Sequence, residues 1–209
     1  SNIKIIEDKL NVKIVARGSN GKREGKKDDV DLTKRVIEEM IKLAKTGKNI
    51  DKRQVKYAVD LLSKNRHMDL SDLYDEVLQV NFKGREIKVK TLGQKYYVEA
   101  IKSSDIVFSI GPAGTGKTYL AMVMAVKSLL NNNANRIVLT RPAIEAGEQL
   151  GFLPGDLQDK VDPYLRPLYD ALYDILGPEK VSEYLEKDII EVAPLAYMRG
   201  RTLDDSFVI

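Results

Sequence analysis

At 209 residues, 43% hydrophobic and 31% charged, the chain has enough apolar material for a buried core and room for one or two domains. It has no cysteine and one histidine, His67, which excludes a disulfide framework and a thiolate metal site and argues against multi-histidine metal binding or catalysis. The net charge of +3 hides an asymmetry: residues 1–95 carry 23 Lys and Arg against 15 Asp and Glu, and residues 96–209 carry 11 against 16, so the basic part suits either a polyanionic partner or a lysine-rich solvated face.

No apolar run reaches membrane-spanning length, and the first residues lack a signal-peptide segment, so a soluble cytoplasmic protein without membrane association is expected. In chain order, residues 3–10 read as a short amphipathic helix and 12–17 as a strand. Residues 18–29 are turn-rich and charged, a loop or irregular hairpin. A helix follows with Leu32, Val36, Ile37, Met40, Ile41 and Ala44 on one face, capped by Asp28, Asp29 or Asp31 and ended by Gly47. Asp51 is the expected N-cap of a second helix with the stripe Val55, Ala58, Val59 and Leu62, and 69–78 reads as a third. His67, in a polar stretch, reads as a solvated loop or helix-end residue. Residues 80–91 look like a hairpin turning at Lys83-Gly84, linking a small basic N-terminal domain (1–84) to a second (85–209).

From about residue 94 the pattern is α/β: helix, strand (105–110), helix, strand (136–140), a long helical insertion (145–187), then strands at 189–194 and 206–209. That alternation predicts a parallel sheet with helices on both faces. Between the first strand and its helix stands GPAGTGKT, residues 111–118, a complete G-x-x-x-x-G-K-[ST] pattern. Gly111, Pro112, Ala113, Gly114, Thr115 and Gly116 form a loop whose N–H groups can turn toward phosphate oxygens, and the following helix adds its positive end. Lys117 is placed to reach the β and γ phosphates and Thr118 to ligate Mg²⁺, with Tyr119 next in line. The bland reading is a chance glycine-rich turn, but the flanking strand and amphipathic helix argue against it. Hydrolysis also needs an acidic group at a neighbouring strand's carboxyl end. Asp204 and Asp205 precede the last strand and so lie at its wrong end, as turn or cap residues.

These motifs resemble the PhoH family of P-loop ATPases. The likeness is carried by SIGPAGTGKTYLA, IVLTRPAIEAGEQLGFLPGDLQDKVDPYLRPLYDALYD and APLAYMRGRTLDDSFVI. It is close over 85–209 and looser over 1–84, which resembles that family's small KH-like α+β region. The resemblance implies that the last strand runs on into an acidic Walker B sequence beyond Ile209, so the chain is expected to be a truncated form with weak nucleotide binding and little hydrolysis of its own. It implies a helicase-like core using ATP and Mg²⁺, single-stranded RNA as partner, a homo-hexameric ring, and an endoribonuclease as a further partner.

By the same resemblance, Gln94 in TLGQKYY is placed to read adenine through its amide, against the alternative of a surface glutamine beginning a helix. Tyr96 or Tyr97 would pack on the base, or one of them in the core. Thr140 and Arg141 could hold a strand phosphate, with an ion pair to Glu145 or Glu148, or contact with the nucleotide, as alternatives. Arg199 and Arg201 could meet nucleic acid or a neighbouring subunit's nucleotide, or lie in a solvated loop. GSNG, residues 18–21, spells the KH G-x-x-G, but a preceding strand favours a hairpin turn. Tyr164, Tyr169 and Tyr173 have spacings that favour packing over base stacking. The leading expectation is an RNA-coupled ATPase. The alternatives are a nucleotide-gated recruitment module and, more weakly, a small-molecule kinase.

Overall fold

The computed structural model describes residues 2–17, 20–45, 50–65, 69–70, 76–142 and 157–209. His67, Gly47, Glu145 and Glu148 lie outside them, as does the side chain of Tyr164. The chain divides into two compact units, Ser1–Glu76 and Val77–Ile209. The second hairpin falls in the second unit, with residue 84 at its turn.

In the first unit, α1 (Asn2–Leu10), α2 (Lys27–Lys45) and α3 (Lys52–Lys64) pack together beside the hairpin of β1 (Lys13–Arg17) and β2 (Asn20–Glu24). The antiparallel register runs from Lys13 opposite Glu24 to Arg17 opposite Asn20, so the G-x-x-G motif joins two strands, not two helices. α3 starts as the sequence implies. Asp51 accepts from the Gln54 backbone N–H at 2.8 Å, and the Gln54 side chain accepts from the Asp51 N–H at 2.9 Å. Its stripe Val55, Ala58, Val59 and Leu62 is buried.

α2 departs from expectation twice. It begins at Lys27, so Asp28 and Asp29 sit inside its first turn, where their charges favour the positive end of the helix dipole rather than cap it, and Asp31 lies further in. Its buried face is Leu32, Val36, Glu39 and Leu43, while Ile41 is 49% exposed and Ala44 is exposed. Glu39 lies at the centre of that face. Its fully buried carboxylate accepts from Leu70 N (2.9 Å) and Lys42 Nζ (2.8 Å) and lies 3.4 Å from Arg35 Nη2. A buried acid so partnered is tolerated, and counting only apolar residues turned the predicted face away from it.

The expected third helix over 69–78 ends instead in a strand: Val77 and Leu78 belong to β3 (Val77–Val80), paired antiparallel with β4 (Glu86–Lys88). Residues 71–75 lie outside the described set. The turn is organised by Asn81, whose Oδ1 accepts from Lys83 N (3.1 Å) and Arg85 N (2.9 Å), with Gly84 at φ +74°. Leu78, Ile87 and Val89 enter the core of the second unit.

That core is built around a parallel sheet in the order β6–β5–β7, with β5 (Arg136–Arg141) central between β6 (Ile190–Pro194) and β7 (Ser206–Val208). Ile137, Val138 and Leu139 are fully buried, as a central parallel strand requires. The helices α5 (Lys117–Leu130), α6 (Leu157–Leu176) and α7 (Pro178–Glu186) pack on the sheet. α4 (Leu92–Ser103) packs on α5. The insertion is thus helical over its described part. No helix among the described residues is long and apolar enough to cross a membrane.

The expected strand at 105–110 is absent. The segment bends at 105–106 and has no ladder partner among the described residues. Ile106, Phe108 and Ile110 are 76%, 89% and 99% exposed. Its β-branched and aromatic content predicts a strand, but a strand exists only where a neighbour supplies hydrogen bonds.

Candidate functional site

Residues 111–118 run from that open segment into α5. Gly114 (φ +73°) and Gly116 (φ +86°) adopt the left-handed conformation that favours glycine. Gly116 caps α5 without any side-chain hydrogen bond, which leaves the first-turn N–H groups directed at the loop. The Lys117 ammonium folds back across the loop and donates to Gly111 O (2.8 Å), Pro112 O (2.7 Å) and Thr115 Oγ1 (3.3 Å). Thr115 Oγ1 in turn donates to Pro112 O at 3.0 Å. A cation, a helix N-terminus and a glycine-bent backbone therefore converge, the donor set that anionic phosphates require. Behind it, α5 is buried without interruption from Leu120 to Val126, so the cradle's exit is anchored in the core.

A hollow of about 270 Å³ on one side of the loop is lined by Gln94, Tyr97, Ser109, Gly111 and Lys117, among others. Gln94 Nε2 donates to Thr115 O (3.0 Å), and Gln94 Oε1 accepts from Lys90 N (2.7 Å). Tyr97 packs against the core, and burial raises its phenol above the ordinary value. Tyr96 is 64% exposed and does not line the hollow.

A larger cleft of about 710 Å³ opens beside Thr118, lined also by Tyr119, Thr140, Arg141, Asp170 and Asp174. Thr140 and Arg141 end β5, so the structure brings both to the exposed Thr118 hydroxyl's cleft. The buried Thr140 Oγ1 has no hydrogen-bond partner among the described residues. The Tyr119 hydroxyl donates to Asp174 Oδ2 at 2.7 Å, and burial together with that carboxylate holds its phenol far above the ordinary value. Sequence reasoning missed Asp170 and Asp174. Their only signal is a one-turn spacing on the insertion helix.

Arg199 and Arg201 are not gathered there. Arg199 is exposed after the short 3₁₀ turn Leu195–Met198. Arg201 forks onto Glu191 of β6 at 2.5 and 2.7 Å, and this pair holds the Glu191 carboxyl below its usual range. Asp204 and Asp205 form the turn before β7, where Asp205 O accepts from Asn135 N (2.8 Å), away from the strand ends that face the loop. Tyr169 is packed against the core and its ring lies on Tyr173, 6.5 Å between centroids at 26°, in keeping with packing. No cluster of three or more His, Cys, Asp or Glu able to hold a metal occurs among the described residues.

A glycine loop feeding a core-buried helix beside a parallel sheet defines an α/β protein with a P-loop, the phosphate-binding device of nucleotide-binding proteins. Residues 86–209 match the PhoH-like protein family, and the chain belongs to it. It is 51% identical over 207 residues to a PhoH-like protein of Bacillus subtilis, covering 99% of this chain and 65% of that relative. It is 48% identical over 211 residues to a PhoH-like protein of Mycobacterium tuberculosis, covering all of this chain and 59% of that protein. Against protein PhoH of Escherichia coli the identity is 42% over 125 residues, 59% of this chain and 35% of the relative. The chain thus spans about three fifths to two thirds of the length of the first two.

Proposed function

We propose that this chain carries the nucleotide site of a Mg²⁺-dependent ATPase coupled to RNA. The observation that supports it is the Lys117 ammonium, held across the Gly111, Pro112 and Thr115 oxygens at the uncapped start of α5. Arriving phosphates would exchange those carbonyls for stronger, charge-assisted partners. Thr118, exposed in the first helical turn, is the residue that would hold Mg²⁺. When bound, Mg²⁺ neutralises charge on the phosphates. Lys117 and the loop N–H groups orient the phosphates and stabilise the charge that develops on them. The RNA reading draws on Thr140 and Arg141 beside Thr118 and on the basic balance of residues 1–95. The hexameric ring, the adenine-reading role of Gln94 and the cytoplasmic location belong to the same proposal.

Titration calorimetry with Mg·ATP should show binding by the wild type and a loss of about 100-fold in Lys117→Ala. Unchanged binding in that variant removes the reading. RNA coupling is tested on the full-length protein by hydrolysis with and without single-stranded RNA; no binding and no stimulation would defeat it. A second reading, a nucleotide-gated surface that recruits an endoribonuclease, is favoured by Leu195 and Tyr197, 51% and 55% exposed on the turn after β6. Paired apolar groups there suit a protein better than a phosphate backbone.

A further inference from the structure

We propose that Gln94 is a positioning residue for the phosphate loop, acting on the loop backbone independently of any base. The inference rests on the phosphate-loop reading above and adds a residue to it.

The contact is built from the sequence upward. Thr91 caps α4, its Oγ1 accepting from Gln94 N at 3.2 Å, which fixes Gln94 in the first helical turn. From there the side chain turns toward the loop. Its carbonyl end accepts from Lys90 N and its amide end donates to Thr115 O. Both ends of the amide are therefore engaged by backbone.

Thr115 is the residue on which the rest of the loop is knotted. Its hydroxyl donates to Pro112 O and receives the Lys117 ammonium. The next residue, Gly116, has its φ of +86°, and a Cβ built there would stand 3.2 Å from Gln94 Nε2. The amide nitrogen thus lies close against the loop's exit, and glycine at 116 serves close approach as well as backbone angle. The entry side, residues 106–110, has no sheet partner among the described residues, so it cannot supply this restraint. Holding Thr115 O keeps the Thr115–Gly116 peptide oriented and lowers the ordering needed when phosphates arrive.

The test uses inorganic tripolyphosphate, which has no base, beside ATP and GTP. Competition binding is measured for wild type, Gln94→Ala, Gln94→Met and Lys117→Ala, with melting temperatures for each. Gln94→Met removes both hydrogen-bonding ends but keeps uncharged bulk against Gly116. Positioning predicts a loss of about five- to tenfold for tripolyphosphate and GTP in both Gln94 variants, as for one hydrogen bond, and at least as large a loss for ATP. A loss confined to ATP makes Gln94 a base reader only and overturns the proposal, as does no loss at all. A loss seen in Gln94→Ala with lowered melting temperature and absent in Gln94→Met also overturns it. If Lys117→Ala binds tripolyphosphate as tightly as wild type, the phosphate-loop reading itself falls, whatever Gln94 does.

Discussion

The two arms of the phosphate loop are both apolar in sequence and opposite in the structure. On the exit side, Met122, Val123, Ala125 and Val126 of α5 are fully buried. On the entry side, Phe108 and Ile110 are almost wholly exposed. A helix closes its own hydrogen bonds and needs only a surface to pack on, whereas an extended segment needs a neighbour's N–H and C=O groups. The difference teaches where the loop gets its rigidity. It is held from its exit, by α5, by the Lys117 ammonium and by the Gln94 amide, and not by the sheet on its entry side.

The contrast can be broken by substitution. Met122→Ala should cost about 2–5 kcal/mol of stability in a denaturant titration, as for a buried large-to-small change; a cost below 1 would mean that α5 does not anchor the loop. Gly116→Ala is next, at about 1–2 kcal/mol for a left-handed position. The added Cβ also meets the Gln94 amide, so nucleotide binding should weaken with it in a calorimetric titration. Tyr119→Phe removes the hydrogen bond to Asp174 and should cost about 0.5–1 kcal/mol by thermal melting, while leaving α5 in place.

Arg201→Ala gives a pH-dependent control away from the loop. Arg201 depresses the Glu191 pKa in the folded state from an ordinary 4.5. The pair therefore adds stability above that value and loses it as pH falls through the lower folded value. The gap in melting temperature between wild type and variant should be present at neutral pH and close on acidification, and it should be small because the pair is partly exposed. Last, Phe108→Ser should leave stability within about 0.5 kcal/mol, as at a surface position. A large loss there would show that the entry arm is packed after all.

Much of this was legible from residues alone. The G-x-x-x-x-G-K-T spacing named the loop and α5, because those depend on local backbone angles and one helix start. Asp51, Gln54 and the α3 stripe followed from rules that act within a few residues. The face of α2 did not, because Glu39 is buried only by virtue of Leu70 and Lys42, which spacing on α2 cannot show. Asp174 escaped for the same reason, since its partner Tyr119 is 55 positions away.

By itself, then, the sequence determined the phosphate loop, the helix that follows it with the strands at 136–141, 190–194 and 206–208, and membership in a family. Those rest on short-range periodicity, glycine conformation and motif spacing. Only the tertiary structure decided that residues 106–110 stand without a ladder among the described residues, that Thr140 and Arg141 share a cleft with Thr118 while Arg201 turns to Glu191, and that Gln94 grips the loop backbone. Each of these depends on which distant groups come within hydrogen-bond or packing distance, and that is settled by the packing of whole elements.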